Sequence, residues 1–126
     1  MNDITREWVR KAEEDYSVIE QLFLLGKNPP LGVICFHAQQ CIEKYLKALL
    51  IEHEIGFPRT HSLVVLIDLI LPIKPDWTLH RDALGVLTNY AIVSRYPFEE
   101  EIDRKTTQNA VDITLHMRDI IRTELT

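Results

Sequence analysis

The sequence contains few of the residues that common metal, redox and nucleophilic enzymes require. Its 126 residues include two cysteines and four glycines. It has no glycine-rich phosphate loop, no Gly-x-Ser-x-Gly turn and no cysteine with a matched histidine, which argues against P-loop and nucleophilic enzymes. No two histidines are spaced four residues apart with an acid nearby, as in many zinc sites. We therefore expect neither a cofactor nor a bound metal.

The two cysteines do not form a disulfide with each other. Cys35 and Cys41 lie six positions apart in a segment that is predicted to be helical, so their Cα atoms are separated by roughly 9 Å along the helix axis. We expect both to be small, buried and free side chains.

Long apolar runs and an excess of positive charge are also missing. No segment approaches the about 20 apolar residues that a membrane span needs, and the charged N-terminus lacks the apolar core of a signal peptide. The net charge of −5 argues against non-specific binding of long nucleic acid, so RNA is a less favoured partner. We expect a cytoplasmic protein with no membrane contact, folded as one domain over residues 1–126.

Helical periodicity runs through most of the chain, and no segment alternates with period two. The predicted fold class is all-α, an up-and-down bundle of four main helices plus one shorter helix. The four main helices are predicted over residues 3–25, 30–54, 78–93 and 105–124, and the shorter one over 60–71. Asp3 or Thr5 is expected to cap the first helix and Thr60 the short one, with Leu22 and Leu79 on inner faces.

A row of polar residues marks the second predicted helix. Gln40, Glu43, Lys44 and Lys47 lie one turn apart, on the side opposite the apolar stripe. Glu43 with Lys47, and Gln40 with Lys44, have the i, i+4 spacing that stabilises an exposed helix. The row is therefore either a solvated face or a surface that binds a ligand.

Two further motifs favour a binding site. Pro97 disfavours helical geometry at the residue before it, so the loop that carries Arg95 and Tyr96 is expected to be rigid. Arg95 has the planar donor fork that fits a phosphate, and the Tyr96 ring offers a surface on which a base can stack. In the alternative interpretation Arg95 pairs with Glu43 and this loop is a structural clasp.

His61 is the remaining candidate. It lies at the predicted start of the short helix, where a histidine is either a structural hydrogen-bonding residue or an acid–base group. The candidate nucleotide- or anion-binding set is Gln40, Glu43, Lys44, Lys47, His61, Arg95 and Tyr96. No catalytic residue is assigned.

The segment 35–50, CFHAQQCIEKYLKALL, closely resembles the second helix of the HEPN family, the "higher eukaryotes and prokaryotes nucleotide-binding" domains. Other matching positions follow the family order: Trp8, Ala12 and Asp15-Tyr16, then Thr60-His61-Ser62-Leu63, then Ser94-Arg95-Tyr96-Pro97. The resemblance implies a four-helix bundle that binds a nucleotide, forms a homodimer and acts as the partner of a minimal nucleotidyltransferase in a toxin–antitoxin-type pair.

Many HEPN proteins are metal-independent ribonucleases that use an Arg followed, after four to six residues, by a His. Here Arg59 and His61 are too close, and Arg104 and His116 are too far apart, so we expect a binding module rather than an enzyme. Two alternatives remain open. One is a ribonuclease toxin whose site departs from that pattern and uses Arg95 with His61. The other is a structural dimerisation bundle with interface residues Phe36, Ile51 and Phe57.

Overall fold

The computed structural model describes residues 1–97 and 101–126. Within these ranges the only regular secondary structure is helical and there is no strand, which confirms the all-α fold class. The α-helices are α1 (Asp3–Ile19), α2 (Leu31–Glu52), α3 (Leu63–Ile70), α4 (Arg81–Val93) and α5 (Arg104–Leu125). No helix in the described part of the chain is long and apolar enough to cross a membrane.

Helix α2 is the central element, because it packs against each of the other four α-helices. Ile34, Tyr45 and Leu49 on this helix are fully buried. Cys35 and Cys41 are buried and free, as predicted, and burial raises the pKa of both thiols. Side chains that α2 places toward its neighbours therefore meet residues from several parts of the sequence.

The end of the first helix differs from the prediction. After α1 the chain continues as a π-helical turn, Glu20–Leu24, in which the Leu25 amide donates to the Glu20 carbonyl at 3.0 Å. This i→i+5 pattern rotates the following side chains away from the α-helical register. The placement of Leu22 on an inner face was wrong, since it is 38% exposed while Phe23 is buried.

Two helix caps were also assigned to the wrong residues. The Asn2 side chain caps α1 by accepting from the Thr5 amide at 2.8 Å, so neither Asp3 nor Thr5 is the cap. Ser62 caps α3 in place of Thr60. In each case a residue near the predicted one has the side chain in reach of the free amides at the helix start.

The fourth helix begins later than its sequence pattern indicates. Residues Pro75–His80 form a 3₁₀ segment, and α4 starts only at Arg81. Trp77 is buried in this segment, whereas Leu79 is 74% exposed. The predicted inner position of Leu79 was wrong because a 3₁₀ helix turns every three residues and directs its side chains differently from an α-helix.

Candidate functional site

The polar residues of α2 do not form one surface row, so that expectation was wrong. Glu43 and Lys47 are only 4% and 8% exposed. Both belong to a hydrogen-bonded group of Gln39, Glu43, Lys47 and His61, which we call the Glu43 cluster; His61 is its one exposed member. Lys44 belongs to a separate group with Asp15 and His37, which we call the Asp15 cluster.

The Glu43 cluster brings a carboxylate together with three polar neighbours. Lys47 Nζ donates to Glu43 Oε2 at 3.2 Å, and His61 Nδ1 lies 3.0 Å from Glu43 Oε1. Gln39 Nε2 donates to Glu43 Oε1 at 3.1 Å and to the His61 carbonyl at 2.8 Å. The buried charge of Glu43 is therefore paired and hydrogen-bonded, as buried charges need to be.

Lys47 is enclosed by aromatic rings as well as by Glu43. Its Nζ lies 5.6 Å from the centroid of the Trp8 ring and 5.7 Å from that of Phe57. These distances are typical of cation–π contacts. Because its ammonium group is buried and bonded to Glu43, Lys47 supports the site from within instead of presenting a surface charge to a ligand.

The Asp15 cluster joins α1 to α2. Lys44 Nζ donates to Asp15 Oδ2 at 2.6 Å, and His37 Nδ1 lies 2.7 Å from Asp15 Oδ1. Asp15 is buried. Lys44 is thus held by α1, apart from the histidine and arginine with which the sequence grouped it.

Gln39, which was not among the predicted site residues, is the glutamine that bonds to Glu43, whereas Gln40 was predicted to be the glutamine of the site. Gln40 is partly exposed, and within residues 1–97 and 101–126 its side chain makes no hydrogen bond. Gln39 precedes Glu43 by four residues, just as Glu43 precedes Lys47. That repeated i, i+4 spacing was the available signal for the cluster.

Arg95 does not pair with Glu43, so the clasp interpretation was wrong in that contact. Its guanidinium carbon lies 4.8 Å from the centroid of the Phe36 ring, a stacked cation–π arrangement. Arg95 itself is exposed. The guanidinium is therefore held in place by a ring while its donors remain accessible to an anion.

A cavity of about 190 Å³ lies between Arg95 and the Glu43 cluster. Its walls come from α2, from the start of α3 and from α4 with the following loop. The lining residues are Gln39, His61, Ser62, Thr88, Ala91, Ile92 and Arg95. The fold thus brings two of the sequence-predicted residues, His61 and Arg95, to one cavity.

Tyr96 lies elsewhere. It is 57% exposed and lines a different, larger cavity of about 690 Å³ together with Leu31, Gly32 and Ile102. Of the seven candidate residues, His61 and Arg95 line the Arg95 cavity. Glu43 and Lys47 support it from the Glu43 cluster. The remaining three lie apart from it: Gln40, Lys44 and Tyr96.

A family model described as the HEPN domain matches residues 5–124. The chain belongs to the HEPN family. This confirms the family predicted from the sequence motifs. No curated protein and no solved structure matches the chain significantly. The HEPN assignment supports a nucleotide-binding or ribonuclease-type module in general terms.

Over residues 1–97 and 101–126, no group of three or more His, Cys, Asp or Glu side chains is placed to hold a metal ion. Two of the residues suggested for an interface have a cation beside the ring: Arg95 lies over Phe36 and Lys47 lies over Phe57.

A third polar group, around Glu13, holds the HEPN bundle together on another side of α2. Arg118 donates two hydrogen bonds to the Glu13 carboxylate, at 2.8 and 2.6 Å, and the Tyr45 hydroxyl donates a third at 2.6 Å. Burial alone would raise the pKa of Glu13, but the bonds from Arg118 and Tyr45 outweigh burial and lower it. This group links α1, α2 and α5, so its role is structural.

Proposed function

We propose that this chain is a single HEPN domain acting as a nucleotide-binding module. The observation that carries the proposal is the cavity at Arg95, where an exposed guanidinium stacked on Phe36 stands beside His61 and the buried Glu43 cluster. A guanidinium can bind a phosphate through two parallel hydrogen bonds. The cavity beside it has polar groups on its wall, so one ligand can engage both.

The size of the cavity supports a ligand that is only partly enclosed. About 190 Å³ is small beside the roughly 300–1,000 Å³ of pockets that enclose a drug-sized molecule. A nucleobase entering this space would leave its sugar and phosphate outside, on the side of Arg95. Base and phosphate would then be recognised by different walls of the same site.

The test is a thermal-unfolding scan of the full chain against a panel of nucleotides. A ligand at about 100 times its dissociation constant adds roughly 2.7 kcal/mol to the free energy of unfolding. We expect at least one nucleotide to raise the unfolding midpoint of the wild type and to have little effect on Arg95→Ala. Absence of a shift for every nucleotide would refute the proposal.

Arg104→Ala is the matched control. Arg104 is also exposed and also stacks on a phenylalanine, with its guanidinium carbon 5.3 Å from the centroid of the Phe23 ring. It does not line the Arg95 cavity. The two variants therefore lose the same kind of contact, and only Arg95→Ala should lose the response to nucleotide.

We further propose that this HEPN domain is a cytoplasmic homodimer and the partner of a minimal nucleotidyltransferase in a toxin–antitoxin-type pair. Membership of the HEPN family and the family motifs in this chain support this role. Sedimentation at micromolar concentration should give a dimer. Stable co-purification with a minimal nucleotidyltransferase would support the pairing, and a monomer that binds no such protein would contradict it.

One observation favours a ribonuclease as the second candidate function. His61 has its Nδ1 against the buried Glu43 carboxylate while the residue itself is exposed, and Arg95 shares its cavity. A histidine oriented by a carboxylate can transfer protons, and an arginine can stabilise the charge that develops on phosphorus. RNA cleavage that is lost in both His61→Ala and Arg95→Ala would establish this activity, and intact RNA at high protein concentration would exclude it.

A further inference from the structure

Two buried side-chain oxygens lack hydrogen-bond partners among residues 1–97 and 101–126: Gln39 Oε1 and Thr88 Oγ1. Both residues line the Arg95 cavity. Buried polar atoms in native proteins are nearly always paired, so each exception calls for an explanation. The two unpaired oxygens belong to residues on the wall of one cavity, so a ligand whose polar groups reach them from that cavity would satisfy both.

The orientation of the Gln39 amide is fixed by its neighbours. Its Nε2 donates to the Glu43 carboxylate and to the His61 carbonyl, and both of these are acceptors. Rotating the amide by 180° would bring Oε1 against those two acceptors and would lose both bonds. Gln39, which is 2% exposed, therefore keeps its carbonyl oxygen as an acceptor that needs a donor.

This inference rests on the proposed nucleotide-binding function and specifies which bases bind. We infer that the cavity recognises the exocyclic amino group of a nucleobase. The amino N–H would donate to Gln39 Oε1, and the Thr88 hydroxyl, which can donate or accept, would bond to the neighbouring edge of the base. A base with a carbonyl in place of the amino group would bring its carbonyl oxygen against Gln39 Oε1, and two acceptors cannot form a hydrogen bond with each other.

Seating the base requires a small movement of the cavity wall, because neither oxygen is open to water in this arrangement. The residue able to move is Ile92, which lines the cavity and is exposed. Gln39, in contrast, is fixed at its amide nitrogen by two bonds. Side-chain rearrangements of this kind are common on binding.

The test uses pairs of nucleotides in which a carbonyl replaces the amino group and the adjacent ring nitrogen changes from acceptor to donor. Calorimetric titration of the full-length protein should show adenosine monophosphate binding about tenfold more tightly than inosine monophosphate, and cytidine monophosphate more tightly than uridine monophosphate by a similar factor, as expected for one lost hydrogen bond. Equal affinities within each pair would overturn this inference and leave the proposed function intact. No binding by any of the four would overturn this inference, and absence of a shift across the whole nucleotide panel would overturn both.

Two variants separate recognition from folding. Gln39→Met keeps the length of the side chain and should bring the affinity ratio within each pair close to one, with folding checked by circular dichroism. Thr88→Val removes a hydroxyl that makes no hydrogen bond in the described residues. Thr88→Val should raise the unfolding midpoint by a few degrees and weaken the binding of the amino-bearing nucleotides. The control is Thr123→Val, at the exposed end of α5, which should leave nucleotide binding unchanged.

A preference for amino-bearing bases that persists in Gln39→Met would also overturn the inference. If Gln39→Met does not fold, the wild-type comparison within each nucleotide pair and the Thr88→Val titration still decide it. In that case Thr88→Val that binds as tightly as wild type would count against the assignment of the cavity.

Discussion

Replacing Lys47 by methionine removes the positive charge of a buried ion pair and leaves the Glu43 carboxylate without its charged partner. Lys47 and Glu43 are 8% and 4% exposed, and Nζ lies 3.2 Å from the carboxylate. Methionine preserves most of the side-chain volume, so the change tests charge more than packing. After the substitution, Glu43 keeps the hydrogen bond from Gln39 and the contact with His61.

The expected loss of stability follows from the burial of the remaining charge. Removing one member of a buried ion pair costs about 3–5 kcal/mol, because an uncompensated charge stays behind. The remaining partners of Glu43 place Lys47→Met toward the lower end, at about 3 kcal/mol. Glu43→Gln should also be destabilising, since it leaves the Lys47 ammonium between the Trp8 and Phe57 rings.

Urea unfolding of both single variants and of the double variant measures the coupling between the two residues. We expect the double variant to be more stable than the sum of the single effects predicts, by about 2 kcal/mol. Arg10→Met is the control, since Arg10 pairs with Glu7 and Glu14 at exposed positions and such pairs contribute at most about 1 kcal/mol. The reasoning is refuted if Lys47→Met costs no more than Arg10→Met.

Two further predictions concern other parts of the bundle. A Cβ at Gly26 would lie 2.2 Å from the Leu22 carbonyl oxygen, so Gly26→Ala should destabilise the end of the π-helical turn by about 1–3 kcal/mol, measured by urea unfolding; an unchanged midpoint would contradict this. Burial and the nearby His116 lower the pKa of His80 from 6.5, against a weaker opposing effect of Asp76. The unfolded chain then binds the proton of His80 more tightly than the folded chain does, so the free energy of unfolding decreases as the pH falls below about 6.5. The fall in unfolding midpoint between pH 7.5 and pH 5 should therefore be smaller in His80→Asn than in wild type.

Most of the fold could be predicted because it depends on local periodicity. Apolar residues at helical spacing locate all five α-helices, although α1 ends at Ile19, well before the predicted end at residue 25. The errors at Leu22 and Leu79 occur where the chain changes from α-helical to π- or 3₁₀-helical hydrogen bonding. Periodicity cannot detect such a change, since the same residue types fit both helical forms and tertiary packing decides between them.

The candidate site was only partly predictable, because its contacts cross between helices. The sequence singled out Glu43, His61 and Arg95, but it could not show that Lys44 turns to Asp15 on α1 or that Arg95 rests on Phe36. Adjacent glutamines pose a similar difficulty. Gln39 and Gln40 differ in role only because α2 directs one of them toward the loop at His61.

The stacking of Arg95 on Phe36 has a consequence for the entropy of binding. A free arginine side chain carries about 2 kcal/mol of rotamer entropy, part of which is lost when the side chain is fixed on a ligand. Here the ring already restricts the guanidinium, so folding has removed some of that freedom before an anion arrives. An anion that meets Arg95 therefore encounters a donor fork close to its bound orientation, and more of the interaction energy remains available as affinity.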